Sequence, residues 1–256
     1  MKKWMGAGLV CALAMTSCGG GKIEGTKSIE VTQISGTALP DEVNGGTITG
    51  KVSFEGAKPE AKIIDMSANP ACARAHANSP QKSEDLVVNA NGTLKYAFVW
   101  VKSGLAPQGW AIPAKTVGID QSGCMYEPHV VGVMVGQNLE IKNSDPTNHN
   151  TQGTPTVNAI WNESQTPGGD ARSKTFLKQE VMIPLKCNIH PWMRAYVGVV
   201  SNPFFAVTGE DGTFTLKGLP PGTYTVQVWH EKFPPQEMTV TVGAKDVKTA
   251  DFSFKG

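Results

Sequence analysis

The sequence predicts an all-β protein built as two β-sandwiches, and two observations carry that expectation. Short apolar runs bounded by turn residues recur along the 256-residue chain, whereas stretches with helical periodicity are few. The 28 Gly and 17 Pro supply the turns that such a pattern needs. A formal net charge of +1 gives no reason to expect nucleic acid and offers little long-range steering of a charged partner.

From the N-terminus, Met1-Lys2-Lys3 precedes an apolar run from Trp4 to Met15. That run is too short to span a bilayer as a helix, and residues 1–17 read as a secretory signal. It ends in Met15-Thr16-Ser17-Cys18-Gly19-Gly20, which resembles a bacterial lipobox with Cys18 as the acylated residue. The resemblance implies a lipid anchor in the bacterial cell envelope, on the periplasmic side or the cell surface. Because no Asp follows Cys18, the outer membrane is the favoured one. An unlipidated signal peptide is the alternative. Residues 18–44, glycine-rich at their start, read as a lipidated tether that lets a folded body sample partners.

Gly46-Thr47-Ile48-Thr49-Gly50-Lys51-Val52-Ser53-Phe54 and Ala97-Phe98-Val99-Trp100-Val101-Lys102 are the next strand candidates. Further on, Glu180 to Lys186 is apolar enough for a strand, with Pro184 placing it at an edge or on a bulge. Ala195-Tyr196-Val197-Gly198-Val199-Val200 reads as the strand that returns from it.

Between those two strands lies Cys187-Asn188-Ile189-His190-Pro191-Trp192-Met193. A thiolate, an imidazole and a thioether in one tight turn are the soft and borderline ligands that copper prefers. The turn lacks a second imidazole, which His149 can supply from upstream. Two His and one Cys with a long axial Met make a blue-copper electron-transfer site. Pro191 stiffens the turn by fixing φ. A buried structural thiol is the alternative for Cys187 taken alone.

Cys-x-x-His-x-x-Met before a final strand, preceded by the His149-Asn150 pair, resembles the cupredoxins, with the loop length of the amicyanins. The resemblance covers roughly residues 113–201 and implies a Greek-key sandwich with His149, Cys187, His190 and Met193 as copper ligands. It also implies that Asn150 supports the thiolate and ties the two ligand loops together. The run Thr151-Gln152-Gly153-Thr154-Pro155 departs from the more hydrophobic strand expected there. Electrons would pass through an exposed edge of His190, with Pro191 and Trp192 as an apolar rim for a small, transient contact with a redox protein such as a c-type cytochrome.

At the C-terminal end, Thr208-Gly209-Glu210-Asp211-Gly212-Thr213-Phe214-Thr215-Leu216 carries an Asp-Gly hairpin signal. Leu219-Pro220-Pro221-Gly222 then turns into an alternating strand from Thr223 to Val228. This pair of motifs resembles the later half of carboxypeptidase regulatory-like, or transthyretin-like, sandwiches, and the 46–54 and 97–102 strands resemble the earlier half. The expectation is therefore nested: residues 45–112 plus 202–256 form the regulatory-like sandwich, and 113–201 form the copper domain inserted in it. Three consecutive units are the rival.

The remaining Cys72 and Cys124 form an even pair in an oxidising compartment and read as a disulfide, with two free thiols as the alternative. Cys72-Ala73-Arg74-Ala75-His76 lacks the second Cys of a haem-attachment motif. His76, His129 and His230 read as surface or internally satisfied residues. The chain as a whole reads as an electron carrier and not an enzyme, because a copper nitrite reductase would need further histidines and the chain has five in all. A copper-delivery protein, or a cell-surface binding module with a structural copper, is the alternative function.

Overall fold

The structure, a computed structural model, describes residues 36–256. The expected signal segment 1–17, the acylation site Cys18 and the start of the 18–44 tether lie outside the described residues. The end of that tether is docked: Ala38 forms a bridge with Trp110, and the Asp41 N–H donates to the Gly218 carbonyl.

The described chain is all-β with one short helix. It begins with β1 (Gly46–Glu55), α1 (Pro70–Ala75) and β2 (Phe98–Ser103). The middle region holds β3 (Val117–Ser122), β4 (Met125–Glu127), β5 (Val130–Met134), β6 (Asn138–Asn143) and β7 (His149–Gly153). It continues through β8 (Trp161–Gln165), β9 (Arg172–Thr175), β10 (Glu180–Lys186) and β11 (Arg194–Val200). The chain closes with β12 (Phe205–Val207), β13 (Thr213–Leu219), β14 (Gly222–His230), β15 (Phe233–Val242), β16 (Val247–Thr249) and β17 (Phe252–Lys255).

One sandwich draws its strands from both ends. In its first sheet β1 pairs with β13 on one side and with β16 and β17 on the other; the second sheet runs β12-β2-β14-β15. Inward residues of both sheets, among them Ile48, Val52, Val99, Val101, Phe214, Val226 and Phe252, share one core. Along β14 burial alternates residue by residue, as it must when one face meets the core. In β2 the apolar run Phe98–Val101 is instead buried on both faces between β12 and β14, and only Lys102 and Ser103 are exposed. Pro234 and Pro235 lie on the edge strand β15 at the register shift between Val228 and His230, where neither is a paired residue of the ladder.

The Asp-Gly turn forms, but not as a hairpin. β12 before it lies in one sheet and β13 after it in the other, so the turn crosses the sandwich. Gly212 is required there twice over: its φ is +67°, and a Cβ would lie 2.2 Å from the Thr93 side chain. The tight hairpin is β14–β15, where His230 pairs with Phe233 across Glu231-Lys232.

The middle region packs sheet β4-β3-β6-β9 against β5-β11-β10-β7-β8 around a second core that contains Cys187 and Met193. Pro184 does not put β10 at an edge, because β10 lies between β11 and β7. The irregularity of β10 falls between Glu180 and Ile183, and β7 pairs only with Leu185 and Lys186, so the ladder stops short of the missing N–H. Between the two sandwiches, Gly132 of β5 faces Gly198 of β11. A Cβ at Gly132 would lie 2.4 Å from the Phe205 ring, and one at Gly198 would lie 2.5 Å from that of Phe98. The paired glycines thus open a slot for aromatic rings of the other sandwich. Beside it, the two ring nitrogens of His129 face the Glu231 carboxylate and the Arg194 carbonyl.

His230 is 2% exposed, packs against Phe233 and Phe254, and accepts a hydrogen bond at Nδ1 from the Lys232 N–H. Burial pushes its pKa down from 6.5 to about 4. The unfolded chain therefore takes up a proton that the folded chain refuses, and stability is lost as pH falls from 6.5 towards 4. Calorimetry should show the unfolding temperature dropping through this window, with His230 contributing on the order of 2–3 kcal/mol. His230→Phe should make the drop shallower.

Candidate metal centre

Two loops bring the donor atoms together. His149 opens β7, directly after the β6–β7 loop, and Cys187 to Met193 connects β10 to β11. The second loop is closed by its own backbone, with the Cys187 N–H donating to the Met193 carbonyl and the Met193 N–H to that of His190. Asn150 joins the loops: its Oδ1 accepts from the Asn188 N–H at 2.7 Å and lies 3.5 Å from Cys187 Sγ. Its own amide donates to Asn162 Oδ1, and its carbonyl accepts from the Tyr126 hydroxyl at 2.6 Å.

His149, Cys187 and His190 each offer a ligand atom, and these atoms lie within 4.8 Å of one another. The facing nitrogens are both Nδ1, 2.8 Å apart, and Cys187 Sγ is 3.7 Å from His190 Nδ1. All three residues are buried, at 0–3% exposure, and Met193 is fully buried in the same core. Pro191 is exposed and Trp192 half-buried, its ring 5.2 Å from that of His190. A second grouping, Cys124 with Asp145 and His149, offers no thiolate because Cys124 is bonded to Cys72.

Asp145 and Asn69 join this site in addition to the residues expected from the sequence. Asp145 receives N–H bonds from Gly123 and Cys124, both 2.7 Å, and faces His149 Nε2 at 2.8 Å. It fixes the ring so that Nδ1 points to the donor cluster, the role a carboxylate plays behind a metal-binding histidine. Asn69 reaches His190 Nε2 at 2.7 Å from the start of α1. The expected exposed edge of His190 is therefore absent: the ring is 1% exposed, and Asn69 occupies its outward nitrogen. An Asn before Pro at a helix start was the available cue for Asn69.

Electrostatics at the site favour a thiolate at Cys187 and a neutral ring at His190, while His149 holds a proton more readily than a free imidazole. Burial pushes the Cys187 thiol up, but hydrogen bonding to His149 and to the backbone at Asn150, His190 and Ile189 brings it below its ordinary value. Burial likewise pushes His149 down, and Asp145 and Cys187 together raise it above the usual range. His190 falls to about 4 through burial and the neighbouring charge of His149. In the polar strand after His149, the Trp161 ring covers Gly153 so closely that a Cβ there would lie 2.1 Å away. The other histidines are engaged elsewhere, His76 through its Nε2 with the Gly123 carbonyl.

Comparison with known proteins finds likenesses of parts. Residues 193–255 match the family model of the carboxypeptidase regulatory-like domain, as the C-terminal motifs imply. A 50-residue stretch is 40% identical to rhamnogalacturonate lyase A of Emericella nidulans, covering 20% of this chain and 10% of that protein. Similar solved structures include a purple cupredoxin from Nitrosopumilus maritimus, at 21% identity and a TM-score of 0.28, over 32% of this chain and 98% of that one. Amicyanin from Paracoccus versutus is 23% identical with a TM-score of 0.30, over 40% of this chain and 96% of its own. The Cu-containing nitrite reductase of Thermus scotoductus SA-01 is 21% identical with a TM-score of 0.32, over 39% of this chain and 26% of the enzyme. The chain thus spans a tenth of the lyase and about a quarter of the reductase.

Asn150→Ala removes the acceptor for the Asn188 N–H and the link to Asn162. It should cost about 1–3 kcal/mol in denaturant unfolding of the metal-free chain. It should also weaken copper binding by roughly 10–100-fold in a chelator competition.

Proposed function

We propose that this chain holds one copper ion at His149, Cys187, His190 and Met193 and carries single electrons to or from a redox protein such as a c-type cytochrome, without transforming a substrate. The observation that carries this reading is the convergence of two imidazole Nδ1 atoms and one thiol in a buried pocket closed by two short loops. The donor set fits copper: borderline nitrogen and soft sulfur select it over hard cations. When bound, copper at such a site supplies one-electron Cu(II)/Cu(I) chemistry. Asp145 holds the His149 ring in place, Asn150 anchors the Cys187 loop, and the β scaffold keeps the donors from rearranging.

The domain division belongs to the same reading. Residues 45–112 plus 202–256 form a regulatory-like sandwich around a copper domain of 113–201, and the pairing of β2 with β12 and β14 supports that nesting. Export and a lipid on Cys18 would place the protein at the envelope, with the outer membrane favoured. A delivery role fits less well, because exchange wants an open site and these ligands are buried.

Adding Cu(II) to the full-length chain should give an intense blue thiolate-to-copper absorption band that is absent in Cys187→Ser. Voltammetry of the loaded protein should then show reversible one-electron cycling. A colourless protein, or copper bound equally by Cys187→Ser, would contradict the reading.

A further inference from the structure

Asn69 uses both ends of its amide. As the N-cap of α1, its Oδ1 accepts from the Ala71 N–H at 3.0 Å and the Cys72 N–H at 3.2 Å. That fixes which end faces the metal centre: Nδ2 points at His190 Nε2, 2.7 Å away. The proton pattern along the site then follows. Because the Asn69 amide donates through Nδ2, His190 Nε2 accepts, and the ring's own hydrogen lies on Nδ1, which sits 2.8 Å from His149 Nδ1.

This arrangement suits the metal-free site and conflicts with a loaded one. If His190 lends its Nδ1 lone pair to a metal, one proton leaves Nδ1 and one is taken up at Nε2, so the ring stays neutral. Nε2–H then faces the Asn69 NH₂, donor against donor. Turning the Asn69 amide over would put Oδ1 against Nε2–H, but the NH₂ brought round to α1 cannot accept from Ala71 and Cys72. Either Asn69 keeps its cap and leaves a buried N–H unpaired, or it serves His190 and uncaps α1.

We propose, resting on the metal-centre reading, that Asn69 is a positioning residue for His190 and that metal uptake turns it off its cap, loosening the first turn of α1. The turn stays over the site because Cys72 is bonded to Cys124 and His76 is bound to the Gly123 carbonyl. The Cys124 carbonyl also accepts from Trp192 Nε1, so α1, Trp192 and the His190 ring form one connected cover. The face a redox partner meets over His190 is then this cover, whose first turn is tight without metal and loose with it.

Asn69→Ser separates the two roles, since Ser caps a helix but cannot reach His190. In ¹⁵N NMR of the full-length chain at mildly alkaline pH, Cu(I) is the diamagnetic probe. Loading should shift the Ala71 and Cys72 amides of the wild type and speed their hydrogen exchange on the order of fivefold, the size of a lost cap. In Asn69→Ser the same amides should not change, and a chelator competition should show Cu(I) held tighter by about the same factor. Cu(I) bound with wild-type amides unmoved, or bound no more tightly by Asn69→Ser, overturns the inference and leaves the metal centre standing. No Cu(I) uptake by the wild type overturns both. The His190 imidazole ¹⁵N shifts of the metal-free chain check the starting pattern separately, since a protonated Nε2 there also overturns the inference.

Discussion

Burying two imidazoles and a thiol side by side leaves no water to satisfy their polar atoms, so the protein must supply a partner for every ring nitrogen. It does so with one continuous line: Asp145 to His149, His149 to His190, His190 to Asn69. Each end of that line is itself held by backbone N–H groups, at Gly123 and Cys124 for Asp145 and at Ala71 and Cys72 for Asn69. The two ends are covalently joined, because Cys72 and Cys124 form the disulfide. The candidate metal centre is therefore ringed by connected side chains, with the α1 turn as part of its wall.

The long connection between β1 and β2 serves both sandwiches. Ile64, Met66 and Cys72 pack into the core that holds Cys187 and Met193, and α1 begins at Asn69 beside His190. Val88, Leu94 and Ala97 pack into the core of the sandwich built from both chain ends. The glycine pair at Gly132 and Gly198 lets Phe98 and Phe205 seat between the sandwiches, which joins the site-bearing sheet to strands from both chain ends. The candidate ligands are thus braced from two directions, by the disulfide-bound turn and by the aromatic junction.

Much of this was legible in the residues. Apolar runs beside turn residues pointed to the strands at 180–186 and 195–200, and the close spacing of Cys187, His190 and Met193 pointed to the donors that the fold brings against His149. The parts that were not legible depend on distant contacts. Asn69 is 121 residues from His190, and nothing local to either predicts their meeting. The Asp211-Gly212 signal reports a turn, but which sheets its strands join is decided by the core. Pro184 has no N–H to donate, yet whether that matters depends on how far β7 extends. The need for glycine at 153 likewise depends on the Trp161 ring that covers it from the neighbouring strand.

The central claim is that His149, Cys187 and His190 ligate one metal together. X-ray absorption at the copper edge of the loaded protein tests it directly. The account predicts one short bond to sulfur with two imidazole nitrogens in the first coordination sphere. Coordination by nitrogen and oxygen alone, with no bond to sulfur, would contradict it.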